Sequence, residues 1–329
     1  MIPLVDVKPA SSAPRQSVLG SALMRSGAGL AAKVRWHLNH HLVKRPWLLN
    51  AFGARLSVVD AYGAPGDTLL TAIVVRHLRR RFPRLRLNVV TPNPDLLRDD
   101  PNVSTLNEPE TFFSVWSWYP DLAGRRDGST NVLRETFARL GLQRDRYDYA
   151  SRVYLRDDEH ARGRELLGPA TRPIVTFHTR SNEPVKDWPL DRWRDLIDRL
   201  RGSYDVIHLG DAREPVLDGV RRFAGQLSLR ESMSVLAHAR VHLGADSFLM
   251  HAANGLGIPS VIIFGGSRTP ANVGYAGNVN LFTPMPCGPC WIHAVNGEQC
   301  GYGLACMEAI SVDDVASAVR AAAAARNGS

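Results

Sequence analysis

Val241-His-Leu-Gly-Ala-Asp-Ser-Phe-Leu-Met-His-Ala-Ala-Asn-Gly-Leu-Gly-Ile-Pro-Ser-Val-Ile-Ile-Phe-Gly265 reads as one complete β-α-β unit. Val241 to Gly244 is a short apolar strand. Asp246 and Ser247 are residue types that cap a helix by offering a side-chain oxygen to its first amides. The helix closes at Gly257, Pro259 bars its continuation, and Ser260 to Phe264 forms a second strand. A helix that opens over a strand end aims its free amides there, so Asp246, Ser247 and His251 surround a natural site for a phosphate group. The same residues also suit the plain cap of a buried helix, and such units serve many α/β proteins with no ligand at that end.

Working outward, the alternation of strand and helix recurs on both sides. Leu56 to Val59 is a strand that runs into the turn-rich loop Asp60-Ala-Tyr-Gly-Ala-Pro-Gly-Asp67. Leu70, Ile73, Val74 and Leu78 then recur at helical spacing, with Arg76, Arg79, Arg80 and Arg81 on the other face. Those arginines suit either an anionic substrate or a solvated helix face. Pro83 ends the helix and Leu87 to Val90 is the next strand. Phe112, Phe113, Trp116, Trp118 and Tyr119 form an aromatic cluster that suits a core patch or a substrate wall. Ile174 to Phe177 starts a second block, followed by a polar loop, a helix with Trp193, Leu196, Ile197 and Leu200 inward, and a strand from Asp205 to Leu209. Ser228-Leu-Arg-Glu231 and Ser311-Val-Asp-Asp314 match the capping-box pattern, the second opening an alanine-rich helix that reaches Arg326. The pattern predicts an α/β fold of two doubly wound, Rossmann-like domains facing across a cleft, over residues 55–170 and 171–329.

The 329 residues carry a net charge of +8, unevenly placed. Residues 1–50 hold Lys8, Arg15, Arg25, Lys33, Arg35, Lys44 and Arg45 against Asp6 alone, which leaves the remainder close to neutral. Residues 1–54 therefore read as a basic arm, partly disordered, with disorder expected over residues 1–20. Later in the arm Leu38, Leu42, Trp47, Leu48 and Leu49 interleave with His37, His40, His41, Lys44 and Arg45. A helix on an anionic membrane surface and a helix packed on the protein's own surface both produce this pattern. The arm is expected to be dispensable for folding. No run approaches the ~20 apolar residues of a membrane span, and no secretory signal is legible, so a cytoplasmic location is expected, with possible contact at the inner membrane face.

Several stretches together resemble family-nine glycosyltransferases, the bacterial heptosyltransferase family. They are Gly66-Asp-Thr-Leu-Leu-Thr71 with Leu78-Arg-Arg-Arg-Phe-Pro83, Lys186-Asp-Trp-Pro-Leu-Asp-Arg-Trp193, Asp246-Ser247 with His251-Ala-Ala, and the Pro-Cys-Gly-Pro-Cys stretch before Cys300 and Cys306. The resemblance implies a GT-B architecture and metal-independent, inverting transfer of a sugar from a nucleoside diphosphate, typically ADP-heptose. It implies an acceptor such as a lipopolysaccharide sugar, another glycan or a protein. It places the catalytic base on Asp67, a carboxylate suited to taking the acceptor hydroxyl proton, though Asp67 also suits a helix N-cap. Leaving-group charge falls to Lys186, Thr179, Ser181 and the helix amides after Asp246 and Ser247. His251 stands within reach of the phosphates or serves as a buried structural histidine. Glu214 matches an acid that binds the nucleotide ribose, or is a surface acid. Phe248 stands where the family usually has glycine, and Asp60 where it usually has a basic residue.

All four cysteines, Cys287, Cys290, Cys300 and Cys306, fall in one short stretch. Four thiolates suit one tetrahedral structural zinc or iron ion, and reduced free thiols are the alternative. Two rival functions remain at this level. One is a nucleotide-sugar-binding protein without catalysis. The other is a nucleic-acid binder using the basic arm and a cysteine-held metal, which the charge distribution disfavours.

Overall fold

The structure, a computed structural model, describes residues 30–292 and 299–325. The disorder expected over residues 1–20 and the helix end expected at Arg326 lie outside these. The chain enters on α1 (Leu30–Val43) and α2 (Pro46–Ala51), then builds β1 (Arg55–Asp60), α3 (Pro65–Arg81), β2 (Arg86–Val90), β3 (Thr105–Leu106) and β4 (Phe113–Ser117). Helices α4 (Pro120–Arg125), α5 (Leu133–Arg139) and α6 (Asp157–Leu167) follow. The second block runs β5 (Ile174–Phe177), α7 (Leu190–Leu200), β6 (Asp205–His208), β7 (Arg221–Arg222), α8 (Leu229–Leu236), β8 (Val241–Ala245), α9 (Phe248–Gly255), β9 (Ser260–Phe264), α10 (Pro270–Val273) and β10 (Val279–Phe282). α11 (Ala305–Glu308) and α12 (Val312–Ala325) complete it.

Two parallel sheets result, ordered β3-β2-β1-β4 and β10-β9-β8-β5-β6-β7. In each, the chain lays strands to one side and then returns to the other, so the order reverses between β1 and β4 and between β5 and β8. Loops at the carboxyl ends of strands flanking such a reversal diverge and leave a crevice, which is where α/β sheets hold ligands. β5, β8 and β9 are buried at every residue. Helices cover both faces of a parallel sheet, which explains why these strands read as largely apolar runs without alternation.

The two blocks pack directly on each other through α3 and α9. Arg230 on α8 reinforces the seam, reaching Glu159 on α6, the Tyr154 carbonyl at 2.9 Å and the Asp95 carbonyl at 2.9 Å. The Asn272 amide donates to the carbonyls of Asp127 and Thr130 at 2.9 and 2.8 Å.

The second half of the basic arm is packed structure, which corrects the expectation that the arm is dispensable. β4 is an edge strand, and the Asn39 side chain of α1 pairs with it as a strand would. It accepts from the Ser114 amide at 3.1 Å and donates to the Ser114 carbonyl at 3.2 Å. Covering an edge in this way removes a row of exposed backbone groups. Val43 and Leu49 are buried in the core of the first block, so the helix rests on the protein's own surface. Trp47 and Phe52 remain exposed beside it. No helix among the described residues is long and apolar enough to cross a membrane.

Leu49→Ala is therefore expected to cost about 2–5 kcal/mol of stability, the range for truncating a buried leucine. Chemical denaturation checks this, and an unchanged midpoint would show that α2 is not part of the core.

Candidate active site

Loops at the carboxyl ends of β1, β4, β5, β8 and β9 converge at the seam. The loop after β1 is shaped by buried Asp60. One of its carboxylate oxygens accepts from the Gly63 amide at 2.9 Å, and the other from the hydroxyls of Thr68 and Thr91 at 2.6 and 3.0 Å. Asp67 lies in the first turn of α3, whose N-cap is Ala64, so Asp67 is not the cap. Its Oδ1 instead accepts a hydrogen bond of 3.0 Å from the Tyr119 hydroxyl. Burial raises the Asp67 carboxyl to about 6; nearby Arg268 opposes the rise and Asp60 adds to it.

Gly66 sets the distance between the blocks. A Cβ placed there would come within 3.0 Å of the His251 ring and 3.6 Å of the Phe248 backbone. A bare backbone at this position lets α3 abut α9, and the next residue is Asp67.

Beyond that contact lies a compact charge cluster. Lys186 Nζ is 2.6 Å from Glu183 Oε2 and 3.1 Å from Asp246 Oδ2. Arg268 Nη2 donates to both Glu183 oxygens at 2.9 and 3.2 Å, and Nη1 stands 3.7 Å from Asp246 Oδ2. Nη1 also donates to the Tyr119 hydroxyl at 3.4 Å, and the guanidinium faces the rings of Tyr119 and Trp291. A directed chain thus runs from Arg268 through Tyr119 to Asp67. Burial pushes the Asp246 carboxyl up, but Lys186 and Arg268 outweigh it and hold the group below the ordinary carboxylate range. His251 is neutral at physiological pH because burial lowers it to about 4. Its Nδ1 lies 2.7 Å from the Tyr275 hydroxyl, and Tyr275 stacks on Tyr149.

Ser247 occupies the N-cap position of α9 without capping it, which corrects the sequence reading. Its hydroxyl is 2.7 Å from His178 Nε2, a stronger local partner that also accepts the Ala245 amide. Among the described residues, the N-cap side chain makes no capping hydrogen bond to the first amides of α9. The other hydroxyls are also committed. Thr179 donates to Glu214 at 2.5 Å, and Ser181 donates to the Glu183 carbonyl at 2.8 Å. Glu214 is buried, not a surface acid. It accepts from the amides of Thr179 and Arg180 and lies 2.9 Å from His208 Nε2. Gly210 makes this possible, since a Cβ there would fall 2.6 Å from Glu214 Oε1. Beside these loops is a cavity of about 380 Å³, walled by His178, Asn182, Glu214, Leu227, Ser247 and Phe248 among others.

Cys290 and Cys306 approach each other over Gly266. The Cys290 amide donates to the Gly266 carbonyl, and Cys306 Sγ lies 3.4 Å from the position of a Gly266 Cβ. Burial raises the thiols of Cys287 and Cys290, and the charges of the neighbouring cysteines raise both further, so the four share one neighbourhood. Among the described residues no three ligating side chains converge on one point.

Of the residues singled out in sequence, Asp67, Lys186, Asp246 and His251 meet at the seam. Tyr119, read in sequence as part of the aromatic cluster, joins them, as do Glu183 and Arg268, which were not foreseen. The available signal for Arg268 was its place in Gly265-Gly-Ser-Arg268, a turn at the end of a buried strand. Asp67→Asn tests the burial of this carboxyl. The folded carboxyl titrates at about 6 against an ordinary 3.8, so the folded state holds its proton more tightly and loses stability as pH rises through that interval. Asparagine is expected to stabilise the protein by about 1–3 kcal/mol at pH 7.5, with the gain gone below pH 4. Denaturation at the two pH values measures it, and no gain at pH 7.5 would mean the carboxylate is well solvated.

The profile of glycosyltransferase family 9 (heptosyltransferase) matches residues 129–293. Lipopolysaccharide heptosyltransferase 1 of Pseudomonas aeruginosa is 33% identical over 133 residues, a match spanning 36% of this chain and 36% of that relative. The dodecameric iron-containing heptosyltransferase TibC of enterotoxigenic E. coli, in complex with ADP-D-beta-D-heptose, has a TM-score of 0.64 at 19% identity, over 84% of this chain and 78% of that one. ADP-heptose LPS heptosyltransferase II of E. coli has a TM-score of 0.63 at 16% identity, over 83% and 99%. At those identities the structural likeness is one of fold.

Proposed function

This chain belongs to glycosyltransferase family 9 and has the GT-B fold, and from that premise we propose that it transfers heptose from ADP-heptose with inversion at the anomeric carbon. The acceptor is a hydroxyl of a lipopolysaccharide sugar, another glycan or a protein. Residues 55–170 form the acceptor side and residues 171–329 the donor side. The observation that supports this reading is a buried carboxyl, raised to about 6, that lies beside Gly66 and feels the charges of the buried cations Arg268 and Lys186.

In this mechanism Asp67 accepts the proton of the acceptor hydroxyl as that oxygen attacks the anomeric carbon. The bond to the diphosphate breaks on the opposite face, and its electrons stay with the leaving oxygen. Lys186 and the first amides of α9 meet the developing charge. The nucleoside occupies the cavity beside Ser247, with Glu214 bracing the Thr179–Arg180 loop against it. His251, being neutral, adds no charge that would compete for the diphosphate. The donor complex of TibC supports the choice of nucleotide sugar.

The four cysteines hold one structural zinc or iron ion in this proposal, a closed set of ligands outside the transfer chemistry. TibC, an iron-containing protein, supports that assignment. The exposed Trp47 and Phe52, next to Lys44 and Arg45 in a segment without acidic residues, suit contact with an anionic membrane at its cytoplasmic face.

ADP is expected to raise the melting temperature more than GDP or UDP, because a bound ligand stabilises the fold by mass action. Asp67→Ala should lower transfer by roughly 10²-fold or more while leaving ADP affinity nearly unchanged, and Lys186→Ala should weaken ADP roughly tenfold. The wild-type rate should rise through about pH 6, where the base ionises. Wild type that binds ADP and transfers nothing would favour a binding protein without catalysis. Elemental analysis of protein purified without a metal-affinity tag should find close to one metal ion per chain, lost in Cys287→Ser. Metal-free protein with four titratable thiols would remove the metal site.

A further inference from the structure

The two buried cations at the seam are bridged twice, closely by Glu183 Oε2 and more loosely by Asp246 Oδ2. Glu183 Oε2 lies 2.6 Å from Lys186 Nζ and 2.9 Å from Arg268 Nη2. One anionic oxygen bridging two cations is also the arrangement that a diphosphate oxygen would take between them. We propose that Arg268 is the second cation of the diphosphate site, and that Glu183 holds the place of the diphosphate until a donor arrives. The proposal rests on the reading that the donor diphosphate lies at Lys186.

The burial of the cations explains why a stand-in is needed. The side chains of Lys186 and Arg268 are only 8% and 10% exposed. A cation so buried and left without a counter-charge is strongly destabilising. Asp246 contacts both cations but is itself buried between them, so it remains as a permanent partner. Glu183 is the carboxylate suited to exchange. It precedes the short turn Pro184–Lys186, and its backbone amide and carbonyl are both anchored by the Ser181 hydroxyl at 3.0 and 2.8 Å. Its side chain can leave by rotation while the loop keeps its shape.

Exchange also limits the charge cost of binding. A diphosphate added to the occupied cluster would meet the carboxylates of Glu183 and Asp246 at close range. A diphosphate that replaces Glu183 inherits both cations and meets Asp246 alone. Arg268 then joins the donor to the base, because its other terminal nitrogen contacts the Tyr119 hydroxyl that donates to Asp67. A ligand that takes over Nη2 leaves Nη1 on Tyr119, and the base keeps its orientation through the exchange.

Calorimetric titration of the full chain with inorganic pyrophosphate, and separately with ADP, tests this. Glu183→Gln should bind both roughly tenfold more tightly than wild type, because the competing charge is gone. Arg268→Gln should bind both roughly tenfold or more weakly, and Arg268→Lys should recover part of the loss. A purely structural role for Glu183 predicts a lower melting temperature with no gain in pyrophosphate affinity, so the sign of the change separates the two. Glu183→Gln binding pyrophosphate no better than wild type would overturn the proposal, and that variant carries the test alone if Arg268→Gln fails to fold. Wild type that binds neither pyrophosphate nor ADP would overturn the donor-site reading itself, and the stand-in with it.

Discussion

A buried charge must be matched where it lies, and this constraint governs the seam between the two sheets. Lys186 and Arg268 stand among Glu183, Asp246 and Asp67, and none of these groups has enough water around it to tolerate losing its neighbours. Each comes from a different place in the chain. Asp67 follows β1, Glu183 and Lys186 follow β5, Asp246 follows β8, and Arg268 follows β9. They meet because both sheets are parallel and both reverse their order at the strand ends that face the seam. The topology assembles the charges, and the charges in turn hold the topology closed.

Two carboxyls in this cluster are shifted in opposite directions. Burial dominates at Asp67 and raises it to about 6. The adjacent cations dominate at Asp246 and hold it ionised. Divergent environments for neighbouring acids are how one site provides both a proton acceptor and a fixed charge. Tyr119 belongs to this division of roles. It is polarised by Arg268 on one side and donates to Asp67 on the other, so its hydrogen is directed toward the carboxyl that burial has raised.

Much of this architecture was legible in the chain. The stretch from Val241 to Gly265 became β8, α9 and β9 nearly as read, because buried parallel strands write continuous apolar runs bounded by turn residues. Ser228 caps α8 with Glu231 as its pattern predicts. Ser247 shows where local rules stop, since His178, distant in sequence, takes its hydroxyl away from the helix. β3 and β7 have two residues each, too few to show a period. Glu214 was legible as a ribose-binding or surface acid, but its burial was not, because its partners, His208 and the Thr179–Arg180 amides, are brought to it only by the fold. Arg268 left only a faint pattern, its place in the turn after a buried strand, because a lone arginine there acquires meaning only from the carboxylates around it. The apolar side chains of the arm were visible in sequence, but their resting place beside β4 depended on an edge that only the sheet order reveals.

The missing side chain at Gly66 sets the clearance of the whole seam. α3 and α9 close on each other until backbone meets imidazole, and a side chain at Gly66 would press on the His251 ring, which would have to give by a few tenths of an ångström. That contact lies beside Asp67 on one side and one turn into α9 on the other. A methyl group inserted there would press the two helices apart next to Asp67, bearing on the spacing between that carboxyl and the cations while leaving every charged group intact. Misplacement of a reacting group by about 1 Å is enough to lower a rate on the order of a hundredfold. The spacing of the chemistry is thus held by the smallest residue in the site, which carries no functional group.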